Sequence, residues 1–290
     1  MDSQNKSSKK LDGRYVIVCA VFILLSAWWL FLRTKTEATD NELELFSGAY
    51  GVMALFGAFL GLKASKRWGG YKSLIGKSVL LYSLGLFAQE FGQLAYSFYT
   101  QVFNEEVPYP SIGDLGYFGS VILYTAATYF LVKAVSSKQS LSSSTSKILA
   151  FLIPVLLLGF SYFEFLKQYE VDWSNPLVVI LDFGYPLGQA VYISLAILVY
   201  LFSRKYLGGK MRPVVLFLIL ALFVQYIADF MFLYQVNNET WTTAGVNDFV
   251  YLVSYFVMSI ALLRFNSIIE HMSVPQNTQE PVTQISEPQL

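Results

Sequence analysis

The sequence predicts an all-α integral membrane protein of eight transmembrane helices, with both termini cytoplasmic and with tandem helical-hairpin repeats. Three observations predict it. Of 290 residues, 55% are hydrophobic and only 14% are charged, with a mean hydropathy of +0.49, a composition outside the range of soluble domains. Eight apolar runs approach the length of about 20 residues that a helix needs to cross about 30 Å of hydrocarbon. Seventeen of the twenty Lys and Arg residues fall at alternate connections, as they do where short loops stay cytoplasmic.

A cytoplasmic segment, 1–14, carries Lys6, Lys9, Lys10 and Arg14 ahead of the first run, 15–32. That run reaches Arg33 without a small-x-small cleavage site and reads as a retained helix rather than a signal peptide. The second run, 46–64, leads into Lys63, Lys66, Arg67, Lys72 and Lys77. The third, 75–101, and the sixth, 177–202, are long enough to tilt or project. The fourth, 113–134, ends in Lys133, and a Ser-rich linker with Lys138 and Lys147 precedes the fifth, 148–166. Arg204, Lys205, Lys210 and Arg212 separate the sixth run from the seventh, 213–235, and Arg264 lies near the end of the eighth, 247–266.

The membrane domain is thus expected over 15–268, with a disordered cytoplasmic tail over 269–290 rich in Gln, Pro, Ser and Thr. Only Arg33, Lys35 and Lys167 fall at outer connections, which instead hold acids such as Glu37, Glu42, Glu105, Glu170 and Glu239. Trp28, Trp29, Trp173 and Trp241 mark outer helix ends and Trp68 an inner one, where amphipathic rings favour the headgroup boundary.

Composition also excludes functions. The net charge is zero, which gives no footprint for nucleic acid. One cysteine, Cys19, and one histidine, His271, rule out an intrachain disulfide and leave too few ligands for a zinc, haem or iron–sulfur site. No cofactor or metal is expected. No phosphate-cradling loop is present, and no lysine in the seventh or eighth run offers a retinal Schiff base.

Three even-numbered runs open alike, with Asp114-Leu-Gly-Tyr117, Asp182-Phe-Gly-Tyr185 and Asp248-Phe-Val-Tyr251, the aspartates 68 and 66 residues apart. The preceding runs also align: Leu86-Phe-Ala-Gln89 to Gln93 lies over Leu222-Phe-Val-Gln225 to Asp229, with Glu164 at the matching place in the fifth. These read as three hairpin repeats, over about 75–134, 148–202 and 213–266, arranged in parallel about an axis near the membrane normal. The first two runs lack the motif and are at most a degenerate fourth.

The repeat sets polar groups in the outer half of the bilayer. Asp182, with Tyr185 and Gln189 at i+3 and i+7, forms one polar helix face. A carboxylate at that depth costs about 2.5 kcal/mol or more on insertion scales, so it should face the bundle interior and find a partner. Asp229 with Gln225, and Glu90 with Gln93 and Ser97, form similar faces on the seventh and third runs. The candidate ligand-binding set is therefore Glu90, Gln93, Asp182, Tyr185, Gln189 and Asp229, without a catalytic or metal role for any of them. Interhelical polar glue is the alternative for each acid. Asp114 and Asp248 read as helix caps, Asp114 through a capping box with Ser111.

The stretch Val107-Pro108-Tyr109-Pro110-Ser111-Ile-Gly-Asp114, preceded by Gly92-Gln93-Leu-Ala-Tyr96, resembles a multi-helix membrane sensory module of prokaryotic signalling proteins. That module usually precedes diguanylate cyclase (GGDEF), EAL phosphodiesterase or histidine kinase domains. Asp182-Phe-Gly-Tyr185-Pro186-Leu187-Gly188 resembles its second signature, with Gln189 where a second acid would stand. The resemblance spans roughly 15–266 and implies an input role without an attached output domain.

The leading expectation is a non-enzymatic membrane sensor that binds a small or lipidic ligand, contacts membrane lipids, and signals to a separate cytoplasmic protein. A proton-coupled carrier is the first alternative, on buried acids and parallel repeats. An intramembrane hydrolase of lysoplasmalogenase type is the second, and the pair Asp182 and Asp229 also suggests a shared-proton aspartyl dyad.

Overall fold

The computed structural model describes residues 12–136, 144–167, 169–206 and 211–272. They are helical, with no strand among them. The disordered tail expected over 269–290 and the Ser-rich linker fall largely outside the described residues.

Each helix begins where a local signal permits. Helix α1 (Gly13–Thr34) is capped by Asp12, whose carboxylate accepts the Arg14 amide and pairs with its guanidinium at 2.6 Å. Thr39 and Glu42 form a reciprocal capping box at the start of α2 (Asp40–Ala49). Tyr50 and Gly51 interrupt the helix before α3 (Val52–Arg67), so the second apolar run is a broken helix longer than the sequence suggests. Ser73 caps α4 (Leu74–Ser97), which passes into a wider π turn over Phe98–Phe103. Helix α5 spans Gly113–Val135, and α6 spans Ser144–Ser161 before a second π turn at Tyr162–Leu166. Helix α7 (Pro176–Tyr206) opens on a proline, whose missing N–H costs nothing in a first turn, and continues through Pro186. Helices α8 (Met211–Asn237) and α9 (Val246–Met272) complete the chain.

Six helices close into a ring, α3 beside α4, then α5, α7, α8 and α9, with α9 returning to α3. Helices α1 and α6 lie outside it, and α2 leads into α3. Helix α1 leans on α9 through Phe22 stacked on Phe256 and Trp29 stacked on Phe249, with the Trp29 indole N–H donating to Ala244 O at 3.0 Å. Helix α6 leans on α7. The second hairpin therefore contributes only α7 to the ring, whereas α4–α5 and α8–α9 contribute both members.

Among the described residues seven helices are long and apolar enough to cross a membrane, α2 and α3 counting as one. Helix α4 is as long but more polar, and its Ser78, Ser83, Gln89, Glu90 and Gln93 are all buried against its ring neighbours. The outermost helices turn apolar side chains outward, among them Leu24 and Phe31 on α1 and Phe151 and Leu156 on α6. Such surface is unfavourable in water by about 25 cal/mol per Å² and is matched by hydrocarbon. This is the build of a multi-pass helical membrane protein.

Candidate functional site

At one end of the ring lies a cavity of about 400 Å³, within the range of small-molecule sites. That end gathers the connections 35–39, 104–112, 169–175 and 238–245. The other end carries Lys66, Arg67, Lys72, Lys133, Lys147 and Arg212.

Ring helices supply the walls: Gln89, Gln93 and Tyr96 from α4, Asp114, Tyr117 and Val121 from α5, and Asp182, Tyr185 and Gln189 from α7. Opposite them stand Asp229, Phe232 and Leu233 of α8 and Asp248, Tyr251 and Tyr255 of α9. Ser47 and Tyr50 enter from the broken α2–α3 segment, while Pro108, Tyr109 and Trp241 border the cavity from loops. Gln189 lies thirteen residues beyond Pro176, about 20 Å along the helix, so the cavity is deep.

Five of the six residues singled out in the sequence, Gln93, Asp182, Tyr185, Gln189 and Asp229, line this cavity, and Glu90 does not. The face of α4 that meets it is Gln89, Gln93 and Tyr96 rather than Glu90, Gln93 and Ser97. One residue on from Gln89 is a rotation of about 100°, which turns Glu90 toward α3. There its carboxylate lies against Gly51, at the α2–α3 break, where any side chain would collide with it. Glu90 is 3% exposed and its Oε2 has no hydrogen-bond partner among the described residues.

Three of the four cavity aspartates are held by tyrosines. Asp229 accepts from Tyr192 at 2.7 Å, Tyr251 at 2.9 Å and the Gln225 amide at 3.0 Å. Asp182 accepts from Tyr109 at 2.6 Å and Tyr169 at 2.5 Å. The Tyr169 hydroxyl, pushed up to about 12 chiefly by that bond, keeps its proton at neutral pH and remains a donor. Asp114 accepts from Tyr185 at 2.7 Å and from the Ser111 amide at 2.8 Å. Asp248 accepts from Ser47 Oγ at 2.6 Å and from the Ala244 amide at 2.9 Å. Gln93 Oε1 accepts from both Tyr50 and Tyr117, and its amide donates to the Ser47 carbonyl.

Asp114 and Asp248 do act on helix starts as the sequence indicates, since each accepts a backbone N–H just upstream. Both also line the cavity. Capping accounts for one carboxylate face, and the Asp-x-x-Tyr repeat was the signal that the other face has a use. The tyrosines Tyr50, Tyr117, Tyr251 and Tyr255 carried no signal beyond that motif.

Two hairpins share their contacts. Tyr117 donates to Gln93 as Tyr251 donates to Asp229, and Gln89 bonds Ser120 as Gln225 bonds Ser254, at 2.7 and 2.8 Å. The second hairpin departs: Glu164 is exposed at the end of α6, and Tyr185 reaches across to Asp114 instead of to its own partner helix.

Gln189 stands apart from these bonds. It is 4% exposed, lines the cavity and makes no hydrogen bond among the described residues. No cluster of three or more His, Cys, Asp or Glu side chains among the described residues could hold a metal ion. No family model, no curated protein and no solved structure matches this chain.

Proposed function

We propose that this chain is a non-enzymatic sensor of the cell membrane, binding a small or lipidic molecule in a one-sided pocket and signalling to a separate cytoplasmic protein. The observation that carries the reading is the cavity itself: polar groups from five ring helices converge on it, as polar groups converge in ligand sites. Structural glue alone would leave no such space between them.

In this reading α4 is an eighth span, because its polar side chains are buried against its ring neighbours while its outward residues, Leu84, Phe91 and Leu94, are apolar. The basic end is cytoplasmic, which puts both termini inside and the cavity in the outer half of the bilayer. The shared contacts of α4–α5 and α8–α9 support a parallel repeat, from which the second hairpin has diverged. The likeness to prokaryotic sensory modules, drawn from Pro108-Tyr109-Pro110 and the Asp-x-x-Tyr motifs, agrees with an input role.

A ligand bridging α7, α8 and α9 would favour one packing of the ring over another, and that bias is all a sensor needs. A carrier needs a path to the far side, yet beyond the cavity the ring is filled by the buried Tyr82, Tyr124, Leu131, Leu218, Leu222 and Leu262. An aspartyl dyad needs two carboxyls sharing a proton. Asp182 and Asp229 instead accept from separate tyrosines and share no hydrogen bond.

Native mass spectrometry of the full chain in mild detergent tests the reading. The wild type should retain a stoichiometric small-molecule adduct that Asp182→Asn loses or weakens. Identical bare spectra for both, together with full occupancy of the membrane by folded protein, would remove the basis for a binding role.

A further inference from the structure

We infer that the ligand of this cavity is a compact organic ammonium ion, carrying N–H donors at one end and an apolar body at the other. The inference rests on the binding role proposed above and names the chemistry of its ligand.

The first ground is charge. Asp114, Asp182, Asp229 and Asp248 all line the cavity, and no Lys, Arg or His lines it. Every hydrogen bond these carboxylates receive comes from a neutral donor: a tyrosine or serine hydroxyl, a glutamine amide or a backbone N–H. Neutral donors favour the ionised form without cancelling its charge. In a confined site, four carboxylates with no positive side chain beside them favour a cation over an anion or a neutral molecule. An anion would meet repulsion from several sides, and a neutral molecule would leave the charge as it is.

The second ground is independent of charge. Gln189, buried at the deep end and without a hydrogen-bond partner among the described residues, offers its amide to the cavity. That amide is open to the cavity rather than to another side chain, and its carbonyl oxygen suits an N–H donor. A bare metal ion fits less well, because the four aspartates stand on different helices and form no ligand cluster.

The third ground is the apolar wall. Tyr50 and Tyr251 both stack near Tyr255, with ring centroids 6.1 and 6.2 Å apart. Phe232, Leu233 and Val121 extend that wall. Aromatic faces attract organic cations and accept hydrocarbon. Tyrosines whose hydroxyl hydrogens are committed to aspartates, as those of Tyr251 and Tyr185 are, turn a fixed ring face toward what lies beside them.

The same ammonium chemistry occurs in a free amine and in the headgroup of phosphatidylethanolamine. The test uses the full chain in nanodiscs of phosphatidylglycerol, titrated with phenethylammonium, its neutral isostere 2-phenylethanol, and 3-phenylpropionate, read by thermal unfolding. The cation should bind about tenfold or more tighter than the alcohol, a modest requirement for opposite charges in a partly dry site. Asp229→Asn and Asp182→Asn should each erase the preference. Glu164→Gln, the same charge change on an exposed residue outside the cavity, should preserve it. Competition by phosphatidylethanolamine added to the disc would support the proposal with a lipid as the source, and binding indifferent to that lipid would support it with a free amine. Equal or tighter binding of the alcohol or the carboxylate overturns the ammonium assignment and leaves a binding pocket. No binding by any of the three also overturns it, and the copurified adduct sought by mass spectrometry then decides separately whether the pocket binds anything.

Discussion

Replacing Gly116 by alanine should force α4 and α5 apart and lower stability by about 1–3 kcal/mol, the usual cost of overpacking where neighbours cannot yield. A methyl group on Gly116 would press on the Ala88 carbonyl and lie 2.9 Å from Gly92 Cα. These are backbone atoms of α4, so no rotamer change relieves the contact. Close approach through small residues is how helices associate where lipid is as apolar as the side chains. The effect should also reach the cavity, because Tyr117, next in sequence, donates to Gln93 across this contact. Unfolding in detergent would show it as a clear fall in midpoint. Wild-type stability for Gly116→Ala would mean that α4 and α5 are not packed this closely.

Asp229→Ala should be the most costly change to the polar groups. Three donors meet on this carboxylate, and two of them, the Tyr192 and Tyr251 hydroxyls, make no other hydrogen bond among the described residues. A buried donor left unpaired costs about 1–3 kcal/mol, whereas single hydrogen bonds between membrane helices average about 0.6 kcal/mol because partners are exchanged. Tyr192 is fully buried and has nowhere to turn, and Tyr251 borders the cavity and can hydrate. A loss of about 2–4 kcal/mol follows, nearer the unpaired-donor limit than the membrane average. Asp229→Asn keeps one acceptor oxygen and should lose much less. Equal unfolding midpoints for Asp229→Ala and wild type would show that these tyrosines do not depend on the acid.

Much of this fold is legible in hydropathy alone. The run read at 113–134 is the helix Gly113–Val135, and the run at 213–235 is Met211–Asn237. Crossing a membrane is a local demand on about 20 consecutive residues, so the sequence states it locally. Neighbourhood is different. The outward position of α6, and the break at Tyr50-Gly51 that brings Ser47 and Tyr50 to the cavity, depend on contacts distant in the chain.

The site divides in the same way. Spacing at i+3 and i+7 put Asp182, Tyr185 and Gln189 on one face, and the structure keeps them there. Polar and apolar residues of α4 are spread around the helix without a strong one-sided pattern, so periodicity could not tell whether Glu90 or Gln89 faces inward. Asp114 and Asp248 were explained by capping, which is a sufficient local reason for an aspartate at a helix start and conceals a second role. The tyrosines that hold Asp114, Asp182 and Asp229 are spread over α7, α9 and two loops. Only folding brings them together, and beyond the Asp-x-x-Tyr motif that marks Tyr185 and Tyr251, no sequence feature separates Tyr109, Tyr169 and Tyr192 from the other tyrosines.

The most direct test of the binding role is a density map of the full chain extracted with its native lipids, at a resolution that shows side chains. The predicted result is a single body of non-protein density within the ring, touching the Gln189 amide and reaching Asp182 or Asp229. A cavity closed by direct packing of Gln189 against α8 or α9, with no space between the aspartates, would contradict it.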